Sequence, residues 1–215
     1  VFLDVGGVLL TNGWDERARA RATARFGLDR QAFERRHQFV IADLETGRMS
    51  LDEYLDRVIF HQPRAWTASE FRDFMLAQSK PHGSTLDFAR RLAASGAAVL
   101  FALNNESREL NEHRIEAFGL REIFTAFLSS CYLGVAKPSS RIFRLALDLV
   151  QTEPESCVFV DDREVNLEAA RRTGIRTFHY RNLAGLRADL ERVGVRLPTA
   201  PGNTTKNRSR TWKSE

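Results

Sequence analysis

The sequence predicts an α/β protein, a doubly wound and mainly parallel sheet with an all-helical segment inserted after the first strand. Three observations carry this. Five short apolar, β-branched-rich runs read as strands. Amphipathic helical patterns lie between the later runs. The long stretch after the first run holds helical spacing and no strand signal.

The first run is Val1–Asp4, opening "VFLDVGGVLL". Only three residues precede Asp4, so the strand looks clipped and the chain is expected to be a fragment. From Gly13 to Pro81 come "WDERARARATARF", "DRQAFERRHQFVIADLETG", "SLDEYLDRVIF" and "TASEFRDFMLAQS", all helical in spacing. Ser50 and Thr67 are good N-caps, and Glu53 and Glu70 three residues on complete capping boxes. An insert here sits over the carboxyl ends of the strands, where open α/β sheets bind ligands. "STLDFARRLAAS" then leads to the second strand, Ala97–Leu103. "ESRELNEHRIEAF" leads to the third, Phe124–Ser129, and "PSSRIFRLALDLV" to the fourth, Cys157–Asp161. "REVNLEAARRTG" leads to the fifth, Ile175–Tyr180. Gly96, Gly119 and Gly174 close three of these helices. The division expected is a core from residues 1–12 and 82–197, a helical cap from 13–81, and a basic tail from 198–215.

Bulk composition narrows the function classes. The chain has 215 residues, 43% hydrophobic and 28% charged, as a soluble globular domain does. Its net charge of +4 is concentrated at the end. Lys206, Arg208, Arg210 and Lys213 against Glu215 give the tail +3 and leave the rest near neutral. A nucleic-acid-binding core is therefore not expected. The tail lacks apolar periodicity and reads as disordered. No apolar run approaches the ~18 residues of a membrane span, and Asp4 interrupts the only apolar start that could resemble a signal peptide. Cys131 and Cys157 form no disulfide or zinc pattern, which fits a reducing, cytoplasmic location.

Four polar features fall at the ends of expected strands: Asp4; "NNES" from Asn104; "AKPS" with Lys137; and Asp161–Asp162. Each alone reads as a turn or a helix cap. In a parallel sheet all four reach the same edge and can converge. Carboxylates without His or Cys suit Mg²⁺, a hard cation that takes oxygen ligands. A carboxylate can also act as nucleophile and form an aspartyl-phosphate. Lys137 supplies a cation for a transferring phosphoryl group, and amides such as Asn104 can hold its oxygens. Gly6 and Gly7 give room for close backbone approach.

These motifs, in this order, resemble those of the haloacid dehalogenase superfamily hydrolases. The resemblance covers Val1 to Tyr180 and is to the helical-cap subclass (subfamily IA, variant 3), with similarity to sugar-1-phosphate phosphatases. It implies a Rossmann-like core, a substrate-selecting cap and Mg²⁺ dependence. Carried over by position, it makes Asp4 the nucleophile and a metal ligand, and Lys137 the second catalytic residue. Gly6 would give the metal its carbonyl. Asp162 would bind it directly, with Asp161 beside it through water, although the two could be exchanged. Asn104, where the family has Ser or Thr, would bind substrate together with Asn105 and Gly7. The cap segment "LETGRMSLDEYL" is similar to cap sequences of sugar-phosphate phosphatases.

One departure stands out. The family's phosphatases carry a second Asp two residues after the nucleophile, as general acid and base; here that position is Gly6. Loss of a general acid costs about 10²–10⁴ in rate. His37, Asp43 and Glu45 from the cap, and Glu106 after the Asn pair, are candidate replacements that the sequence leaves open. The activity expected is Mg²⁺-dependent phosphatase action on a small phosphorylated metabolite. The alternatives are metal-independent dehalogenation by the same Asp, and a non-catalytic homologue that binds a phosphorylated ligand or a protein.

Overall fold

The computed structural model describes residues 1–196; the basic tail expected at 198–215 lies outside them. Five strands form one parallel sheet in the order β3-β2-β1-β4-β5. They are β1 (Phe2–Leu3), β2 (Phe101–Ala102), β3 (Ala126–Phe127), β4 (Val158–Asp161) and β5 (Arg176–His179). The expected runs are longer than the paired segments. Central β1 is only two residues long and pairs with β2 as Phe2 with Phe101 and Leu3 with Ala102. Ladder-type hydrogen bonds continue one step further, Leu103 N–H to the Leu3 carbonyl and Asp4 N–H to the Val160 carbonyl.

Alternation along these strands builds two cores, one on each face of the sheet. Leu3, Val158 and Val160 pack with Leu86, Phe88 and Leu190 on one face. Phe2 and Phe159 pack with Ile142, Phe143 and Leu167 on the other. The helices supplying those faces are α5 (Gly83–Ser95), α8 (Ser140–Val150), α9 (Glu164–Arg171) and α10 (Leu183–Arg192). Connection α6 (Arg108–Ala117) starts on an N-cap from Ser107, whose hydroxyl accepts from Leu110 N–H. A short α7 (Ser130–Leu133), which carries no sequence signal, follows β3.

Between β1 and α5 the chain forms four helices: α1 (Glu16–Phe26), α2 (Arg30–Glu45), α3 (Leu51–Val58) and α4 (Ala68–Leu76). Both capping boxes form, Ser50 with Glu53 and Thr67 with Glu70. The four helices bury a core of their own around Phe33, Leu44, Tyr54, Leu55 and Phe71. Trp66 stacks on Phe71 inside it, and Trp14 meets Phe33 and Phe71 edge-on. Among the described residues no helix is long and apolar enough to cross a membrane.

The sheet order reverses its direction of growth at β1, with β2 on one side and β4 on the other. Ligand sites of open α/β sheets lie at the carboxyl ends beside such a switch point. Asp4 follows β1 there, and Asp161 ends β4 there.

Candidate active site

A cleft of about 300 Å³ opens at that edge, lined from the sheet side by Asp4, Gly6, Asn105, Lys137 and Asn166. Trp14, Arg19, Ile41, Leu44, Glu45 and Met75 of the helical insert close it from above. Its size is at the low end for small-molecule sites.

Lys137 is the hub. Its ammonium lies 3.0 Å from Asp4 Oδ2 and 2.7 Å from Asp161 Oδ2, and above the Phe159 ring at 5.2 Å. Its backbone is bracketed by Asn105, whose Nδ2 donates to the Lys137 carbonyl and whose Oδ1 accepts from Lys137 N–H, both at 2.8 Å. Burial pulls the Lys137 pKa down, but the two carboxylates outweigh it and hold it above the ordinary value. Burial pushes Asp161 up, but Lys137, Arg163 N–H and Asn166 overcome this and keep it below the usual range. Both Asp161 oxygens are engaged: Oδ1 accepts from Arg163 N–H at 2.8 Å, and both accept from Asn166 Nδ2 at 3.0 Å. Asp4 is raised, because burial and the nearby Asp161 charge outweigh Lys137. Its second oxygen, Oδ1, accepts from Val5 N–H at 2.8 Å.

Asp162 differs from its neighbour. Its buried Oδ1 has no hydrogen-bond partner among the described residues. Burial and the Asp161 charge raise its pKa. Asp4, Asp161 and Asp162 each offer an oxygen within 4.8 Å of the others. Three crowded carboxylates, one with an orphaned oxygen, form an all-oxygen donor set of the kind Mg²⁺ takes.

Two residues expected at the substrate make contacts within the protein. The Asn104 side chain is turned into the core: its Nδ2 donates to Asn111 Oδ1 at 3.0 Å, and its Oδ1 accepts from Ser129 at 2.8 Å. Asn105 lines the cleft and Asn104 does not. The Gly7 N–H donates to the Leu10 carbonyl at 2.7 Å. What Gly7 provides is space, for at φ +75° an added Cβ would fall 2.2 Å from Asp162 Oδ2.

The Gly6 position is less restricted, since its φ is one that any residue can adopt. A Cβ there would lie 2.7 Å from Asn12 Oδ1 and 3.6 Å from an Arg114 nitrogen. The contact is with the tip of the exposed Asn12 side chain, which can swing aside. Arg114, almost wholly buried, pairs with Glu106 at 2.7 Å and donates to Ser79 and to the Thr11 carbonyl. Arg19, Arg114 and Arg163 line the cleft, and sequence reasoning singled out none of them. Arg19 is buried by its pair with Glu34 at 2.9 Å and its bond to the Trp14 carbonyl.

The four candidate replacements for the absent acid separate clearly. His37 is 3% exposed in the insert's core, bonded to the Tyr54 hydroxyl at 2.9 Å and outside the cleft lining. Asp43 pairs with Arg48 at 2.8 Å and also lies outside it. Glu106 lines the cleft but is tied to Arg114. Glu45 lines the cleft with a carboxylate that hydrogen-bonds to none of the described residues.

Known proteins share this architecture. The haloacid dehalogenase-like hydrolase family matches residues 1–174. Bifunctional epoxide hydrolase 2 of Rattus norvegicus is 29% identical over 143 residues, 65% of this chain and 26% of its own length. The chain thus spans about a quarter of that relative. Flavin mononucleotide hydrolase 1 of Arabidopsis thaliana is 26% identical over 177 residues, 80% of this chain and 69% of its own. Among solved structures, HAD family enzyme BT-2542 of Bacteroides thetaiotaomicron, in complex with magnesium and inorganic phosphate, superposes with a TM-score of 0.71 at 20% identity. The overlap covers 84% of this chain and 92% of that one. With the family match extending over most of its length, the chain belongs to the haloacid dehalogenase-like hydrolases.

Proposed function

We propose that this hydrolase is a Mg²⁺-dependent phosphatase acting on a small phosphorylated metabolite through an aspartyl-phosphate. The observation that carries the reading is the cluster of Asp4, Lys137 and Asp161 with half-buried Asp162 beside it, of which Asp4 and Lys137 line the cleft. The magnesium and phosphate bound to BT-2542 fit the same reading.

Asp162, with its orphaned oxygen, Asp4 and the Gly6 carbonyl would hold the cation. Mg²⁺, when bound, supplies positive charge that offsets the carboxylates and the phosphate. Asp161 has both oxygens engaged, and its contribution is to hold Lys137 in place. Lys137 draws the Asp4 pKa down against the larger effect of burial, and offers its ammonium to the phosphoryl group in flight. Asp4 then attacks phosphorus and displaces the leaving oxygen. Water releases phosphate from the resulting acyl phosphate. Arg19 and Arg163 supply cationic surface on the walls of the cleft. Substrate selection belongs to the insert, whose Trp14, Ile41, Leu44 and Met75 line the upper wall.

Carbon–halogen hydrolysis by Asp4 is the second reading, because a dehalogenase superposes with a TM-score of 0.59. The three-carboxylate cluster favours the metal-dependent phosphatase over it. A phosphate-release screen across sugar phosphates, nucleotides and acyl phosphates tests the proposal, with chelator and Asp4→Asn as blanks. Release that survives both blanks sinks it, as does halide release without Mg²⁺ and no phosphate release at all.

A further inference from the structure

Position 6 carries no acid. A leaving alkoxide still needs a proton. We propose that Glu45, at the carboxyl end of α2 in the helical insert, donates that proton to the leaving oxygen. The inference rests on the phosphatase reading of the same cleft.

Three structural features place Glu45 for this. It lines the same cleft as Asp4 and Lys137, near enough that the Lys137 charge acts on it. Its backbone is pinned to the core, because the Ser130 hydroxyl donates to the Glu45 carbonyl at 2.5 Å while accepting from Glu106 N–H at 3.0 Å. The following turn is pinned too. Gly47, at φ +71°, lies so close to the Cys131 carbonyl oxygen that a Cβ would be 2.2 Å from it. Leu51 N–H donates to Glu109 Oε1 at 2.8 Å. The short helix α7, silent in the sequence, therefore acts as the seat for the end of α2. The Glu45 carboxylate itself hydrogen-bonds to none of the described residues and is left available to a ligand.

The charges facing it are Glu106 from the segment after β2, Lys137 before α8, Arg163 before α9 and Arg19 from α1. Asp4 and Asp15 share the cleft. Burial first, and Glu106 second, raise its pKa to about 7 against the three cations. Glu45 thus holds a proton near neutrality, where a general acid is most effective.

The chemistry balances. As Asp4 bonds to phosphorus and the bond from phosphorus to the leaving oxygen breaks, the Glu45 proton passes to that oxygen, which departs as the alcohol. Glu45 is left as carboxylate. It takes a proton from water as the water oxygen attacks phosphorus and the acyl phosphate bond to Asp4 breaks. Phosphate leaves, and both side chains return to their starting states.

The test uses Mg²⁺-loaded protein and a series of aryl phosphates, from p-nitrophenyl through phenyl to p-methoxyphenyl phosphate. The readout is kcat/KM, which reports the step that expels the leaving group. Glu45→Gln should lose little on p-nitrophenyl phosphate, whose leaving group needs no proton. The loss should grow along the series toward about 10²-fold. The alkaline limb of the wild-type profile on p-methoxyphenyl phosphate should also disappear. A uniform loss across the series, or none, would overturn the role of Glu45 and leave the phosphatase reading standing. Absence of wild-type turnover on the whole series would overturn both. Thermal unfolding of Glu45→Gln is the folding control; should that variant not fold, Glu45→Asp in the same series must show the same graded loss, in reduced size, or the proposal falls.

Discussion

Replacing Lys137 by Met isolates the charge at the centre of the site. Met nearly matches the volume of the Lys stem, so little cavity is created. The loop stays tied, since Asn105 bonds to backbone groups of residue 137 that the substitution keeps. What is lost is the ammonium that neutralises Asp4 at 3.0 Å and Asp161 at 2.7 Å. The Lys137 and Asp161 side chains are 1% and 0% exposed, so water cannot replace it. Removing one partner of such a buried group costs about 3–5 kcal/mol. For a domain of this size that is roughly 6–20 °C in melting temperature. Urea unfolding at pH 7.5 measures it directly, and phosphate release from the same preparation should be abolished. A loss under about 1 kcal/mol, or retained turnover, would refute the reasoning that Lys137 holds the two carboxylates in place.

Other consequences follow from the same geometry. Gly6→Asp should be tolerated, because at ordinary φ its Cβ meets only the movable tip of the exposed Asn12 side chain; a fall in melting temperature of more than a few degrees, relieved by adding Asn12→Ala, would contradict this. His37 is lowered to about 4 by burial, with Arg19 adding to the effect. Its unfolded form binds a proton at higher pH than its folded form, so its contribution is complete above about 6.5 and is lost as pH falls toward 4. Unfolding titrations should show a decline on the order of 2–3 kcal/mol over that window, and His37→Gln should flatten it.

Much of the site was legible because its chemistry sits on residue types at strand ends. An Asp closing an apolar run, a Lys-Pro before a helix and an Asp pair ending a strand keep their meaning in any parallel sheet. Side-chain direction was not legible. Asn104 and Asn105 are identical in type and adjacent, and consecutive residues of extended chain face opposite ways. Only the structure shows that Ser129 and Asn111 claim the first and leave the second at the cleft. Arg19 hides among Arg17, Arg21 and Arg25 in an Arg- and Ala-rich helix; Glu34, on another helix, singles it out. Arg114 reads as one charge of an amphipathic helix, yet it is buried by Glu106, Ser79 and Thr11, which come from three separate segments. The apolar runs outlast the paired segments, since β2 pairs over only Phe101 and Ala102 with both β1 and β3.

The central claim is that Asp4 carries the phosphoryl group. Quenching turnover with hydroxylamine converts an aspartyl-phosphate into a hydroxamate, which mass spectrometry of the peptide from Val1 onward can locate. A hydroxamate should form on Asp4 and require both Mg²⁺ and a turned-over phosphate ester. Turnover with no adduct, or with the adduct on another residue, would contradict it.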